Sequence, residues 1–207
     1  MTAETTATVL ARAQQTLATA KLGLRMVKTG LPDQRMAGVR NVAVFGRAVT
    51  NVLQNLRSTE PSFDAWYAPL VAEMRSDPLL KYFYELRSKV LKEGSTSTTV
   101  NMHIKQFRSS DVARFGPPPP GATGFVMGDS LGGVGWQVPQ PDGTAEMYYV
   151  ELPGDIGSIT VHLSGAPKEH LGFALSDASA DRLAGLYVDY LQRLVNNAVE
   201  RFGSGRR

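Results

Sequence analysis

The sequence contains no cysteine, and it has only three histidines among 207 residues. Without cysteine the chain cannot form disulfides, thiolate zinc sites or cysteine nucleophiles. A chain of this length buries roughly 70% of the surface that its unfolded form exposes, so neither a metal nor a disulfide is needed to hold a core. We therefore expect a globular protein with no bound cofactor and no metal site.

Long apolar runs are also missing, because no run approaches the roughly 20 residues of a membrane span. The first four residues, Met1 to Glu4, lack the basic start and apolar block of a secretory signal. The formal net charge of +3 is too small a surplus to indicate nucleic-acid binding by itself. These absences predict a cytoplasmic protein with no membrane association.

The small basic surplus is concentrated near the N-terminus, where eight Lys and Arg residues precede Glu60 and only two acidic residues accompany them. Lys21, Arg25 and Lys28 follow one another at a spacing of four and three, which predicts one stripe on the first helix. This stripe is the candidate surface for an acidic protein partner or RNA. A solvated helix face is the alternative interpretation.

Apolar residues recur at helical spacing through the first 95 residues. One stripe predicts a helix over about 5–29, and a second stripe from Val39 to Leu56 predicts a helix that pairs antiparallel with it. Gly46 lies in the second stripe, where a small residue would let another backbone come close. Ser62 is the predicted cap of a third helix, and Asp77 precedes a fourth that ends at Gly94. The aromatic residues near these two helices are predicted to form a seam between them: Phe63, Trp66, Tyr67, Tyr82, Phe83 and Tyr84.

After Gly94 the apolar period changes to two, which indicates β-strands. Predicted strands run from Thr98 to Ile104 and over 124–127, 134–138, 146–152 and 158–163, separated by turns such as Pro141-Asp142-Gly143. A last helix is predicted to begin at a Ser176 or Asp177 cap and to pack back on the first four. The fold class is thus α+β, mainly α, with an antiparallel β insertion between the fourth and last helices. We expect one domain over 1–207, made of a helical bundle (1–95), a β-rich insertion (96–172) and a closing helix (173–203).

The segments Phe63-Asp64-Ala65-Trp66-Tyr67, Asp77 to Ser88 and Lys92-Glu93-Gly94 resemble bacterial members of the HEPN (higher eukaryote and prokaryote nucleotide-binding) superfamily. The resemblance implies a HEPN-like helical bundle that forms a homodimer. In active members it implies a metal-independent endoribonuclease whose motif is Arg, a polar residue, three variable residues and His. The matching positions here are Arg87, Ser88 and Lys92.

Lysine at the position of the motif histidine changes the expected chemistry. An unperturbed Lys, with a pKa of about 10.4, keeps its proton at neutral pH and cannot replace an imidazole as a general base. The resemblance therefore implies a bacterial protein with a degenerate ribonuclease motif, which acts as a non-catalytic, dimeric binding or scaffold module for a protein or RNA partner. The alternative is an endoribonuclease that uses Arg87, with neighbours Ser88, Lys92, Glu85 or Glu93.

A second motif, Gly128-Asp129-Ser130-Leu131, looks like the nucleophile block of the GDSL hydrolases. Its position contradicts that interpretation, because the block belongs near the start of an α/β fold, and the Asp-x-x-His that would supply the base is missing before His170. We interpret the segment as a glycine-rich turn. No ligand role is expected for His103, His162 or His170.

Overall fold

The computed structural model describes residues 5–203, and a helical bundle forms most of it. Most of the helices begin and end close to the predicted positions, but the second helix begins at Pro32, seven residues before the predicted stripe, and ends at Leu53. Their bounds are α1 (Thr6–Thr29), α2 (Pro32–Leu53), α3 (Phe63–Ser76), α4 (Pro78–Glu93) and α5 (Ala180–Phe202). Short 3-10 turns follow α2 at Gln54–Ser58 and occur again at Ser109–Phe115. The α+β, mainly α class with a β insertion between the fourth and last helices is confirmed.

Local sequence signals explain several helix ends. The Asp77 side chain accepts a hydrogen bond from the Leu80 backbone N–H at 2.8 Å, and Pro78 occupies the first position of α4, where no N–H is needed. Gly94 adopts φ +65° and ends α4 in the left-handed conformation that glycine tolerates. Ser62 precedes α3 as predicted, but its side chain makes no capping hydrogen bond.

Helices α1 and α2 cross with their backbones in contact. A Cβ atom on Gly23 would lie 2.9 Å from the Gly38 carbonyl oxygen, and one on Gly38 would lie 2.6 Å from the Gly23 carbonyl oxygen. Gly46, predicted to admit a neighbouring backbone, instead admits a ring: the space of its missing Cβ is occupied by Tyr187 of α5. A close approach at Gly46 was predicted correctly, but the group that approaches is the Tyr187 side chain and not a backbone.

The closing helix α5 supplies much of the core, and its buried face packs on the other helices as expected. Its cap position is Ser179, two residues after the predicted Asp177 and three after the predicted Ser176, because Asp177 instead accepts a hydrogen bond from the Ser179 N–H at 2.8 Å and closes a turn. The predicted aromatic seam between α3 and α4 was wrong. Phe63 and Trp66 pack against Phe202, and Phe83 stacks on Tyr187 at 4.3 Å, so each aromatic group contacts α5.

The β insertion is antiparallel as predicted, and its strands form three small sheets. The strands are β1 (Thr98–Ile104), β2 (Gly124–Met127), β3 (Val134–Pro139), β4 (Ala145–Val150), β5 (Gly157–Leu163), β6 (Glu169–His170) and β7 (Phe173–Ala174). Strand β1 pairs with β5, β3 lies between β2 and β4, and β6 pairs with β7. A small separate core of Phe115, Val134 and Ile156 lies under these strands. No helix within residues 5–203 is long and apolar enough to cross a bilayer.

Candidate functional site

A cavity in the helical bundle opens between α2, α3 and α4, with α5 behind it. Its volume is about 570 Å³, within the range of small-molecule sites. Helix α2 presents Arg47 and Thr50, and Gln54 of the 3-10 turn after it continues the same polar face, so that this face forms one wall. We call this cavity the central cleft.

Positive charge surrounds the central cleft. Four cations line it, namely Arg47, Arg57, Arg75 and Lys81, against one carboxylate, Glu85. Arg57 is paired with Asp64 at 2.7 Å outside the cleft, and Lys81 lies 3.9 Å from Glu85. Among residues 5–203 no carboxylate lies within 4 Å of the guanidinium of Arg47 or Arg75. The cleft therefore carries two arginines whose charge has no close counter-ion.

Arg47 is the most deeply placed of these cations and is held in position from two sides. Its Nη1 donates to the Thr50 hydroxyl at 2.5 Å, and the Thr50 hydroxyl donates to the Arg47 carbonyl oxygen at 2.9 Å. The guanidinium carbon lies 5.3 Å from the centre of the Tyr84 ring, a cation–π distance. Because its side chain is already ordered, Arg47 would lose little conformational entropy on binding an anion.

The floor of the central cleft is made of buried tyrosines: Tyr67, Tyr187 and Tyr190. Burial raises the pKa of all three phenols, most strongly those of Tyr187 and Tyr190, and the Glu73 carboxylate near Tyr190 adds to the effect there. All three hydroxyls therefore keep their protons at neutral pH and can donate hydrogen bonds. The Tyr190 hydroxyl is buried, and within the described part of the chain no acceptor meets it with hydrogen-bond geometry.

A buried polar clamp supports the end of α4 next to the cleft. His170 and Asp77 are 6% and 5% exposed, and the His170 Nδ1 lies 3.1 Å from both Asp77 carboxylate oxygens. The Leu171 N–H donates to the same carboxylate at 2.7 Å. The His170 ring packs edge-on against Tyr190 with centroids 6.4 Å apart. The sequence analysis expected no ligand role for His170 and missed this pairing with Asp77, for which no local pattern gives a signal.

The three candidate catalytic residues lie on the C-terminal half of α4 and outside the central cleft. Arg87 and Ser88 are half-buried, and Lys92 is exposed on the last turn. The Ser88 hydroxyl donates to the Tyr84 carbonyl oxygen at 3.2 Å, one turn earlier in the same helix. In residues 5–203 no hydrogen bond joins any two of these three side chains. Their catalytic roles stay predictions.

The predicted basic stripe on α1 is also separate from the central cleft. Lys21 is half-buried, whereas Arg25 and Lys28 are exposed. Lys28 borders two other cavities, which lie between the helices and the β insertion and are also lined by Arg35. The binding role of the stripe stays a prediction.

The remaining motif residues lie in the β insertion. The Asp129 carboxylate accepts hydrogen bonds from the Leu131 and Gly133 N–H groups at 3.0 and 2.6 Å and from the Tyr149 hydroxyl at 2.5 Å. Asp129 therefore stabilises a turn after β2, in agreement with the interpretation as a glycine-rich turn. Ser130 is exposed, and His103 lies on β1 with its side chain in solvent.

Sequence reasoning missed the central cleft, although a signal for it exists. Besides its apolar stripe, α2 and the turn after it carry a second stripe of polar residues at a spacing of three, four and three: Arg47, Thr50, Gln54 and Arg57. Tyr187 and Tyr190 of the last helix also lie on its buried side. Which helices these two sets face depends on tertiary packing, so the spacing alone could not place them together.

No curated protein and no solved structure matches the chain. A family comparison overturns the resemblance to the HEPN superfamily, because the segment that carried it matches a phage protein family instead. The HEPN assignment was therefore wrong, and the interpretation of Arg87, Ser88 and Lys92 as a degenerate ribonuclease motif has no remaining support. Residues 32–110, from the start of α2 to the turn after β1, are similar to the family described as bacteriophage lambda protein ea47.

Proposed function

We propose that this protein is a non-catalytic binding protein that takes an anionic small molecule into the central cleft. The observation that carries the proposal is the pair of arginines, Arg47 and Arg75, which face one cavity without a carboxylate within 4 Å in residues 5–203. Cations that converge on a cavity repel each other, and an anion between them replaces that repulsion with charge-assisted hydrogen bonds.

The depth of the cleft favours binding inside it over loose association with its rim. The buried Tyr190 hydroxyl meets no acceptor with full hydrogen-bond geometry in the described part of the chain, although the Glu73 carboxylate lies near enough to raise its pKa. A ligand oxygen inside the cleft would offer this hydroxyl an acceptor at better geometry. Tyr187 lies beside it with a protonated hydroxyl that can donate to the same kind of acceptor, whereas the Tyr67 hydroxyl already donates to the Thr50 carbonyl oxygen at 3.5 Å.

The side chains around the cleft favour binding over turnover. No histidine is among the described residues that line it, and its one carboxylate, Glu85, lies 3.9 Å from Lys81. An imidazole whose charge changes near neutral pH is the commonest general acid or base. The lining instead supplies permanent cations, hydroxyl donors and apolar surface, which hold a ligand without transferring protons.

Isothermal titration calorimetry with inorganic pyrophosphate tests the proposal. We expect saturable binding that weakens as the salt concentration rises, because the charges at the rim are screened. Arg75→Ala should reduce the affinity by about tenfold or more, since a hydrogen bond to a charged group contributes about 1.5–3 kcal/mol.

Arg25→Ala is the matched control, because Arg25 is an exposed arginine on α1 outside the cleft. It should leave the affinity unchanged within about twofold, as expected for a distant surface charge. If pyrophosphate does not bind, or if Arg25→Ala weakens binding as much as Arg75→Ala, the central cleft is not the anion site. The homodimer and the acidic protein or RNA partner of the α1 stripe stay separate proposals.

A further inference from the structure

We propose that the anionic ligand of the central cleft is a nucleoside phosphate whose base stacks on Tyr84. This inference rests on the proposed function, since it names the class of the anion. Three features of the cleft point to it: the size of the cavity, the separation of its charged rim from its apolar interior, and an exposed aromatic ring at its entrance.

The size of the cleft exceeds what an inorganic anion can fill. A water molecule occupies about 30 Å³ in the liquid, and phosphate or pyrophosphate is only a few times larger. The cleft holds about 570 Å³. An inorganic anion at the arginines would leave most of that volume to water, whereas a nucleotide would fill a large part of it.

The lining divides into two regions that suit two parts of one molecule. The cations Arg57, Arg75 and Lys81 are exposed at the rim, while the interior also contains apolar side chains: Val71, Met74, Leu80 and Leu191. A phosphate group gains from these cations and from Arg47, but not from the apolar side chains. The second region gains when an organic body displaces water from it. The ligand therefore combines negative charge with an organic body.

The exposed ring of Tyr84 indicates that the organic part of the ligand is aromatic. Its side chain is 52% exposed, although a large aromatic ring normally gains free energy by burial. It lines the cleft beside Lys81, and the Arg47 guanidinium lies 5.3 Å from its centre. An aromatic platform next to cations is the arrangement that binds a base by stacking and its phosphate by charge.

Glu85 distinguishes a nucleoside phosphate from a simple aryl phosphate. It follows Tyr84 directly and is the one acidic side chain among the described residues that line the cleft. A carboxylate repels phosphate, but it accepts hydrogen bonds from ribose hydroxyls or from the amino group of a base. The side chains along the cleft therefore match a ligand that has hydrogen-bond donors near its aromatic ring and negative charge farther from that ring.

The test compares ADP with pyrophosphate by isothermal titration calorimetry on the whole chain. ADP should bind at least tenfold more tightly than pyrophosphate. Tyr84→Ala should weaken ADP binding about 5- to 100-fold, as expected for loss of one stacked base. Pyrophosphate affinity should fall less, by no more than about fivefold, because Arg47 loses only its cation–π contact with the ring, worth about 0.5–1 kcal/mol. Tyr148→Ala, which removes an equally exposed tyrosine on β4, is the control and should change neither affinity.

The outcomes separate the two proposals. Equal affinity for ADP and pyrophosphate, both reduced by Arg75→Ala, would overturn the nucleoside inference and leave the anion site intact. Tighter ADP binding that survives Tyr84→Ala would also overturn it, because the base would then lie elsewhere. Absence of binding by both ligands would overturn the proposed function itself. Circular dichroism of each variant shows whether its fold is preserved.

Discussion

Replacing Asp77 by alanine should destabilise the fold more than any exposed carboxylate substitution, because this side chain joins two parts of the chain. One carboxylate oxygen accepts from the Leu80 N–H at 2.8 Å, and the other accepts from the Leu171 N–H at 2.7 Å. The His170 Nδ1 lies 3.1 Å from both oxygens. The bonds link α4 to the segment that leads into α5.

The magnitude follows from what the substitution leaves behind. Loss of the helix cap costs about 1 kcal/mol. The Leu171 N–H and the buried His170 ring also lose their acceptor, and an unsatisfied buried polar group costs about 1–3 kcal/mol. We therefore expect the free energy of unfolding to fall by about 2–4 kcal/mol. For a chain of about 200 residues, each kcal/mol lowers Tm by about 2–4 °C.

Urea unfolding followed by circular dichroism measures this change. Asp142→Ala is the matched control: Asp142 also accepts two hydrogen bonds, from the Thr144 N–H and hydroxyl, but it lies in an exposed turn of the β insertion. Its loss should have a much smaller effect, since water replaces both bonds. A loss below about 1 kcal/mol for Asp77→Ala would contradict the expected stabilisation by the buried Asp77 hydrogen bonds, because they would then contribute no more than an ordinary surface group.

Three further predictions concern packing, chemistry and assembly. Gly46→Ala should destabilise the protein by about 1–3 kcal/mol, because the new methyl group meets the Tyr187 ring. Gly185→Ala in α5 places its methyl group in open space and should stabilise the protein by up to about 1 kcal/mol. Thermal unfolding of both variants measures the difference. Purified protein incubated with mixed RNA should leave it intact, and cleavage that disappears in Arg87→Ala would instead support the endoribonuclease alternative. Light scattering of the purified chain should give the mass of a homodimer, and a mass near 22.4 kDa would contradict that expectation.

Local patterns in the sequence predicted most of the secondary structure because they depend on nearby residues. The Asp77-Pro78 start and the Gly94 end of α4 agree with the structure, as do the alternating residues of β1. The start of α5 was predicted two or three residues too early, because Ser176, Asp177 and Ser179 are all residue types that cap helices and only the local turn decides which is used.

Contacts between distant segments could not be predicted in this way. The aromatic residues of α3 and α4 were expected to pack on each other, yet both sets reach α5, more than 100 residues away in sequence. The central cleft depends on the same long-range packing, since its lining comes from four helices. The resemblance to HEPN proteins did not help to predict these contacts, because the motif on α4 that suggested it lies in a segment that matches another family.

The most direct test of anion binding in the central cleft is a titration of isotope-labelled protein with pyrophosphate, followed by the backbone amide shifts in NMR spectra. We expect the largest shifts to cluster around the central cleft, at Arg47 to Arg57 and at Tyr187 to Leu191. Shifts concentrated instead on α1 between Lys21 and Lys28, or no shifts at saturating pyrophosphate, would contradict it.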